Sequence, residues 1–474
     1  MDKRHVVIIG GGITGLVAAY RLRQMNHDNH LLNCTLLEED SRFGGKIDTR
    51  RTEDFTLELG PDSIYTRKPA GIEFIRELGL EEQIVPVSPS SGTFVWHNGH
   101  LQPLPPGVNT GVPSDMTAFA KTKLLSTQGK IRALADLILP LVPLEGDIAI
   151  GEFLRKRLGD EVVDVIASPL LAGIHAGDID RLSLDATMPM WRKIYEDHRS
   201  LILGAMAMKK KAQSAPSAPS DPLFINLQNG LEQLVEHLIQ AIKHDVDMHL
   251  NTSATKVTKN TDGTYEITMN HKGTISTIKA DAIIVATPSF AAADILSSLD
   301  LNLEPLRSIR YADTATVSFG YKGIPSSFQM AGSGYLVPRN EGTRITACTI
   351  VSNKWKNSSK NGNLLVRCYV GRDGDEEAVH WTDERLIETT QQDLKKSIDL
   401  YEKPYFIEIK RWQRSMPQYD AGHLERVQIM ESELQKYPEI ILAGAAYRGI
   451  GIPDCIKEAT RAIDRIKSLF ALNG

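Results

Sequence analysis

Four consecutive β-branched residues, Val6-Val7-Ile8-Ile9, run straight into three glycines, Gly10-Gly11-Gly12, within the stretch VVIIGGGITGLVAAY at 6–20. β-Branched side chains fit a pleated, half-rigid backbone, so 5–9 is predicted as a buried strand. Three bare positions then follow where the chain has to turn. Beyond them Ile13, Leu16, Val17 and Tyr20 fall on one face of a helix predicted over 13–26, and TLLEE at 35–39 reads as a second strand. Strand, helix and strand in that order form a βαβ unit, which requires a parallel sheet with a helix covering one face.

Within the run, Gly10, Gly12 and Gly15 fit GxGxxG. The first glycine permits the tight turn, the second lets backbone approach a pyrophosphate, and the third lets helix and strand pack closely. The helix N-terminus adds N–H donors, so Gly10, Gly11, Gly12, Ile13, Thr14 and Gly15 are candidate dinucleotide ligands. Glu38, 23 residues past Gly15, ends the second strand, where a carboxylate can accept both ribose hydroxyls; that favours a free 2′-hydroxyl over NADP. Its neighbour Glu39 is the alternative for the same role. In SRFGGK at 41–46, Arg42 can offset phosphate charge and Gly44-Gly45 can bring backbone to the same ligand. No GxxxxGK[ST] pattern occurs, so mononucleotide phosphoryl transfer has no support.

The chain's 474 residues suggest two or three domains at roughly 100–200 residues each. A formal net charge of −5 gives no general attraction to nucleic acid. Cys34, Cys348, Cys368 and Cys455 lack CxxC spacing, which argues against zinc and a disulfide scaffold and for a reducing cytoplasm; no metal is expected. The first residues lack the apolar core of a signal peptide. IRALADLILPLVPL at 131–144 carries Arg132, Asp136 and two prolines and is too short to cross a bilayer. A helix packed into a core is its simpler reading, and peripheral membrane contact is the other.

Further along, 69–84 reads as a helix with Pro69 near its start, and 115–205 is mostly helical. KKKAQSAPSAPSDP at 209–222 has the composition of a mobile loop or interdomain connection. A helix over 230–243 precedes alternating strands, 300–380 is strand-rich, and a helix follows near 383–401. EIILAGAAYRGIGIPDCIKEATRAIDRIKSLF at 439–470 returns to the opening's design of strand, glycine turn and helix.

The pattern GGGITGLVAAYRL…LLEEDSRFGGKIDT…LELGPDSI resembles the front of the amine oxidase, phytoene desaturase and protoporphyrinogen oxidase superfamily, whose cofactor is FAD. ELGPDSIYTRKPAG (58–71), SPLLAGIHAGDIDRLSLDATMP (168–189), RWQRSMPQY (411–419) and GAAYRGIGIPDCIKEA (444–459) resemble its porphyrinogen oxidase branch, Gram-positive type, which acts on coproporphyrinogen III or protoporphyrinogen IX in haem synthesis. The resemblance implies an α/β fold: a Rossmann-like FAD-binding domain from the discontinuous segments 1–75, 222–298 and 408–474, a mainly helical domain at 76–221, and a mixed α+β substrate-binding domain at 299–407. It implies pyrophosphate at Gly10 to Gly15, adenosine ribose at Glu38, and the cofactor's middle at Arg42, Gly45 and Lys46. Gly60, Pro61, Asp62 and Ser63 would lie at the flavin ring, Val257 would offer backbone to adenine, and Gly449, Ile450, Gly451 and Ile452 would bring a second helix N-terminus to the flavin edge. Trp412 is either cofactor-side or a core residue.

The implied reaction is FAD-dependent oxidation of coproporphyrinogen III by three two-electron steps, with flavin N5 as hydride acceptor, oxygen as final acceptor and no residue singled out as catalytic. Lys68, with Arg67 beside it, is the expected partner of a substrate carboxylate. Ile174 is an expected lining residue, and His175 is either a base or, more simply, a packing residue. The resemblance leaves room for transient contact with other haem-synthesis enzymes. Protoporphyrinogen IX as substrate, an amine or carotenoid oxidoreductase and a non-enzymatic tetrapyrrole carrier are the competing readings.

Overall fold

A computed structural model describes residues 3–26, 32–89, 92–214 and 222–470. Strands β1 (Arg4–Ile9) and β2 (Leu32–Leu37) flank helix α1 (Ile13–Asn26) and pair in parallel, with Val6 opposite Cys34 and Ile8 opposite Leu36. Three segments from far along the chain complete the sheet: β3 (Asp247–His249), β4 (Ala282–Val285) and β5 (Ile440–Leu442). The order is β3-β2-β1-β4-β5, parallel throughout. Buried on both faces, its strands read as continuous apolar runs rather than alternating ones. One face packs against α1 and a later helix over 452–469; the other packs against Tyr265, Ile267, Ala292 and Leu296.

β2 stops at Leu37, two residues short of the expected end, which leaves Glu38 at the sheet's carboxyl edge. The helix expected over 69–84 ends at Glu77, because Gly79 takes a φ of +70° and its N–H turns back to the Arg76 carbonyl; Ile84–Pro86 is then a strand.

The second sheet has seven strands in the order Phe406–Pro417, Tyr311–Tyr321, Leu364–Val370, Ile345–Ile350, Gly334–Leu336, Thr93–His97 and His100–Pro103. Two expected boundaries therefore shift. The 93–103 hairpin, assigned by sequence to the helical segment, pairs with Gly334–Leu336, and the strand cut at 408 belongs whole to this sheet.

Helices dominate 116–214. Within the mostly helical 115–205, the helical run from Ile150 breaks at Gly159, whose φ is +88° and whose Cβ would lie 2.5 Å from Arg132 Cγ. A π-helical stretch, Val163–Ala167, then runs into α2 (Ser168–His175), where Pro169 has no N–H to give the preceding turn. Residues 209–214 extend a helix, Leu201–Ser214, rather than opening a loop; the rest of the expected linker, 215–221, lies outside the described residues.

The 131–144 segment meets its simpler reading only in part. Ala133 is buried and Leu137 and Leu144 pack on the helical core, but Asp136 is also fully buried and other apolar positions face outward: Ile131 is 65% exposed, Ile138 82% and Val142 59%. Among the described residues no helix is long and apolar enough to cross a membrane. Asp136 receives Arg157 Nε at 2.5 Å, Ser200 Oγ at 2.6 Å and the Ile202 N–H at 3.0 Å, while Arg157 also reaches the carbonyls of Asp136, Pro140 and Arg199. All four cysteines are free and buried, and no metal-holding cluster occurs among the described residues.

Removing one member of a buried ion pair strands the other's charge. Asp136→Ala is expected to lower the unfolding free energy by about 3–5 kcal/mol in chemical denaturation, and a loss below about 1 kcal/mol contradicts this role.

Candidate active site

The glycine turn after β1 is tight at Gly10, Gly11 and Gly15 and open at Gly12. Gly10 has a φ of +107° and donates to the Leu37 carbonyl at 2.8 Å, while a Cβ on Gly15 would meet the Gly10 carbonyl oxygen at 1.9 Å. Gly12 faces nothing nearer than Gly45 Cα, at 4.0 Å. Beside that opening, Ile13 and Thr14 start α1, whose first-turn N–H groups have no partner within the helix.

Glu38 is 8% exposed and accepts from the Gly11 N–H at 2.7 Å and the Asp40 N–H at 2.9 Å. Burial pushes its carboxyl above the usual range against these donors. Each oxygen holds one backbone donor and keeps lone pairs for others. Glu39 is exposed. Arg42 is engaged differently from its expected role: its guanidinium holds the carbonyls of Phe43, Gly45 and Ile47 and pairs with Asp48 at 3.2 Å, so it shapes the 43–47 loop from behind. A Cβ on Gly45 would meet Gly12 Cα at 3.1 Å. Lys46 donates to the Ser415 carbonyl, and burial pulls its ammonium down to about 8.

Val257 lies five residues past Thr252 on the same strand. Its side chain is fully buried with Tyr265 and Ile267, and its carbonyl accepts the Ser298 hydroxyl. The segment that meets the edge of β2 lies earlier, where the Asn251 N–H reaches Asp40 O and the Thr252 N–H reaches Glu38 O; half-buried Ser253 and Ala254 follow, just before a bulge.

Gly60, Pro61, Asp62 and Ser63 form a half-buried loop pinned by Trp412 and by two residues, Arg367 and Lys354, that sequence alone did not single out. Arg367 Nη2 donates to the carbonyls of Leu59 (3.2 Å) and Gly60 (2.7 Å), and Trp412 Nε1 donates to Leu59 O at 2.8 Å. A Cβ on Gly60 would meet the Lys46 carbonyl oxygen at 1.8 Å. Asp62 pairs with Lys354 at 2.7 Å; burial alone would raise its carboxyl, but Lys354 and Arg367 hold it below the usual range. Beneath the loop, burial pushes Glu58 up to about 7 despite donors from Leu231 N–H, Thr49 and Asn226.

The second glycine turn opens the helix α3 (Ile452–Leu469) against the N-terminus of α1; a Cβ on Gly444 would lie 3.7 Å from Thr14 Oγ1. Gly449 has a φ of +142°, and the Gly451 N–H reaches Asp454 Oδ2 at 3.1 Å. Ile450 is half-buried and Ile452 buried. Lys68, though exposed, is already partnered with both Asp454 oxygens at 2.8 and 2.6 Å and so stands at this turn; Arg67 is exposed too. His175 shares the same space. Burial, then the charge of Lys68, pull its imidazole down to about 4, so it is neutral at pH 7 and offers no positive charge to a carboxylate. Ile174 beside it is 57% exposed.

The residues missed from sequence, Arg367 and Lys354, act through chain-distant pairings. Asp454 alone carried a local signal, as the acid three positions past Gly451 at a helix start. The opening over Gly12, two converging helix N-termini and a buried carboxylate at the end of β2 fit a pyrophosphate-linked dinucleotide such as FAD.

Comparisons agree with this chemistry. Residues 13–467 match the model of the flavin containing amine oxidoreductase family. The chain is 37% identical to coproporphyrinogen III oxidase of Bacillus subtilis, over 99% of both chains. It is 34% identical to coproporphyrinogen III oxidase of Staphylococcus aureus, over 98% of this chain and 99% of that one. A crystal structure from Exiguobacterium sp. 255-15, provisionally named a protoporphyrinogen oxidase, superposes with a TM-score of 0.88 at 35% identity, covering 99% and 100% of the two chains. With a mixed α/β fold, a dinucleotide cradle at α1 and a match across nearly its whole length, the chain belongs to the flavin containing amine oxidoreductase family.

Proposed function

We propose that this protein is an FAD-dependent oxidase that converts coproporphyrinogen III to coproporphyrin III in haem biosynthesis, by three two-electron steps with oxygen as final acceptor. The observation that carries the reading is the end-to-end likeness to coproporphyrinogen III oxidases, at 37% and 34% identity. Bound FAD supplies the two-electron acceptor; the protein's work is to hold the two reactants in register.

In this reading Gly10 to Gly15, with Ile13 and Thr14, seat the pyrophosphate and Glu38 takes the ribose. Lys46 adds positive charge between the two glycine turns. Gly60 to Ser63 and Gly449 to Ile452 flank the ring, with Trp412 bracing the first of these loops. Lys68 orients a substrate carboxylate while sharing Asp454, and neutral His175 and Ile174 form the opposite wall. The parallel sheet and α1 hold the cofactor, and the seven-stranded sheet, including its 93–103 hairpin, holds the substrate. We place the protein in the cytoplasm, with the exposed 131–142 face as a peripheral membrane contact.

Anaerobic mixing with coproporphyrinogen III, and separately with protoporphyrinogen IX or an amine, is expected to bleach the flavin band fastest with the first; oxygen then restores it. Preference for protoporphyrinogen IX would change the substrate, and bleaching by amines alone would overturn the assignment. Gly12→Val is expected to yield folded protein without FAD, measured as flavin per chain, because a side chain would fill the opening at that glycine. Lys68→Ala is expected to raise KM for the tetracarboxylate about tenfold with kcat within about twofold, as loss of a ground-state contact does. Unchanged kinetics would remove Lys68 from the site.

A further inference from the structure

Two consecutive residues of the PQY stretch reach both walls of the site. Gln418 is 2% exposed and sends its amide nitrogen to the carbonyls of His175 at 3.0 Å and Met416 at 2.9 Å. Because His175 ends α2, that bond fixes the tip of the helix carrying Ile174. Tyr419, also 2% exposed, donates its phenol O–H to the Ala445 carbonyl at 2.6 Å and accepts the Gly449 N–H at 2.8 Å. One oxygen thus clasps both ends of the glycine turn that leads into α3.

Neither side chain has room to swing. The Tyr419 ring stacks on His423, with centroids 3.9 Å apart and planes 13° from parallel, and fully buried His423 is held in turn by the Tyr447 carbonyl at 2.9 Å. Backbone bonds anchor the pair from two further sides, Gln418 N–H to Arg310 O at 2.8 Å and Ser183 N–H to Tyr419 O at 2.7 Å. Gln418 Oε1 is buried without a partner. An apolar side chain of the same size would leave no such orphan, so packing alone does not account for an amide at 418; its bond to the tip of α2 does.

We propose that Gln418 and Tyr419 are positioning residues for the oxidation, holding the tip of α2 and the 445–449 turn at one separation so that substrate against the first meets cofactor at the second. The proposal rests on the functional reading above. A small error in such a separation costs rate without abolishing binding.

The test uses full-length, FAD-loaded protein as wild type, Gln418→Met, Tyr419→Phe and the double variant, in anaerobic single-turnover reduction by coproporphyrinogen III. Gln418→Met is expected to slow reduction at saturating substrate by about 10- to 100-fold, with the flavin spectrum and thermal midpoint unchanged. Tyr419→Phe is expected to slow it similarly and also to shift the visible flavin bands, since the turn at the flavin edge loses its clasp. Both variants reducing within twofold of wild type would overturn the proposal, as would slowing matched by an equal loss of folded protein. Should Gln418→Met fail to fold, Tyr419→Phe, which removes a single oxygen, decides the question. If wild type itself is not reduced, the functional reading falls and takes this inference with it; if wild type is reduced and the variants keep pace, the inference falls alone.

Discussion

α1 can lie against the parallel sheet only because Gly15 brings no side chain to the Gly10 carbonyl. Any Cβ there would lift the helix off β1 and carry its N-terminal N–H groups away from the opening at Gly12. The rest of the cradle is registered to this contact. The Gly10 N–H is tied to the end of β2, so Glu38 arrives beside Gly11, and Gly444 of the second glycine turn stands close to the Thr14 hydroxyl.

A second constraint comes from outside the parallel sheet. The 59–63 loop has little apolar surface with which to hold itself in place, and its position is imposed by polar side chains of other elements. Arg367 reaches two of its carbonyls from the neighbouring sheet, Lys354 holds Asp62, and Asn226 reaches Asp62 O at 3.0 Å. Tyr405 bonds Asp54 at 2.8 Å and Lys410 bonds Asp48 at 2.8 Å, so the segment leading into the 59–63 loop is tied to the seven-stranded sheet's first strand and the residue before it by directional contacts as well as by burial. Directional contacts fix a separation more sharply than apolar packing alone, which suits two bound reactants that must meet in one geometry.

What the sequence made legible was local. A glycine at positive φ, a carboxylate ending a strand and an acid at a helix start each depend on neighbours within a few residues, and Gly10, Glu38 and the turn before α3 stand where their spacing placed them. Long-range pairing was not legible. Nothing near Lys68 indicates that Asp454, nearly the whole chain away, is already its partner. The strand over 252–259 gives no local sign of which of its residues meets the end of β2; only the Thr252 pairing to Glu38 shows it. The 131–144 segment misled in part for a related reason: its apolar content suggested burial, yet a carboxylate within it is fully buried while other apolar positions face outward.

The order in which the five parallel strands occur along the chain bears on how the protein is made. β1 and β2 leave the ribosome early, but β3 and β4 come only after the helices and β5 follows the entire second sheet. Until then the edges of β1 and β2 are unpaired and apolar, a state that invites association with other chains and calls for a chaperone or for slow synthesis. The turn between β5 and α3, which the proposed reading places at the flavin, is made only when translation is nearly finished. In that reading, capture of the cofactor is a post-translational event.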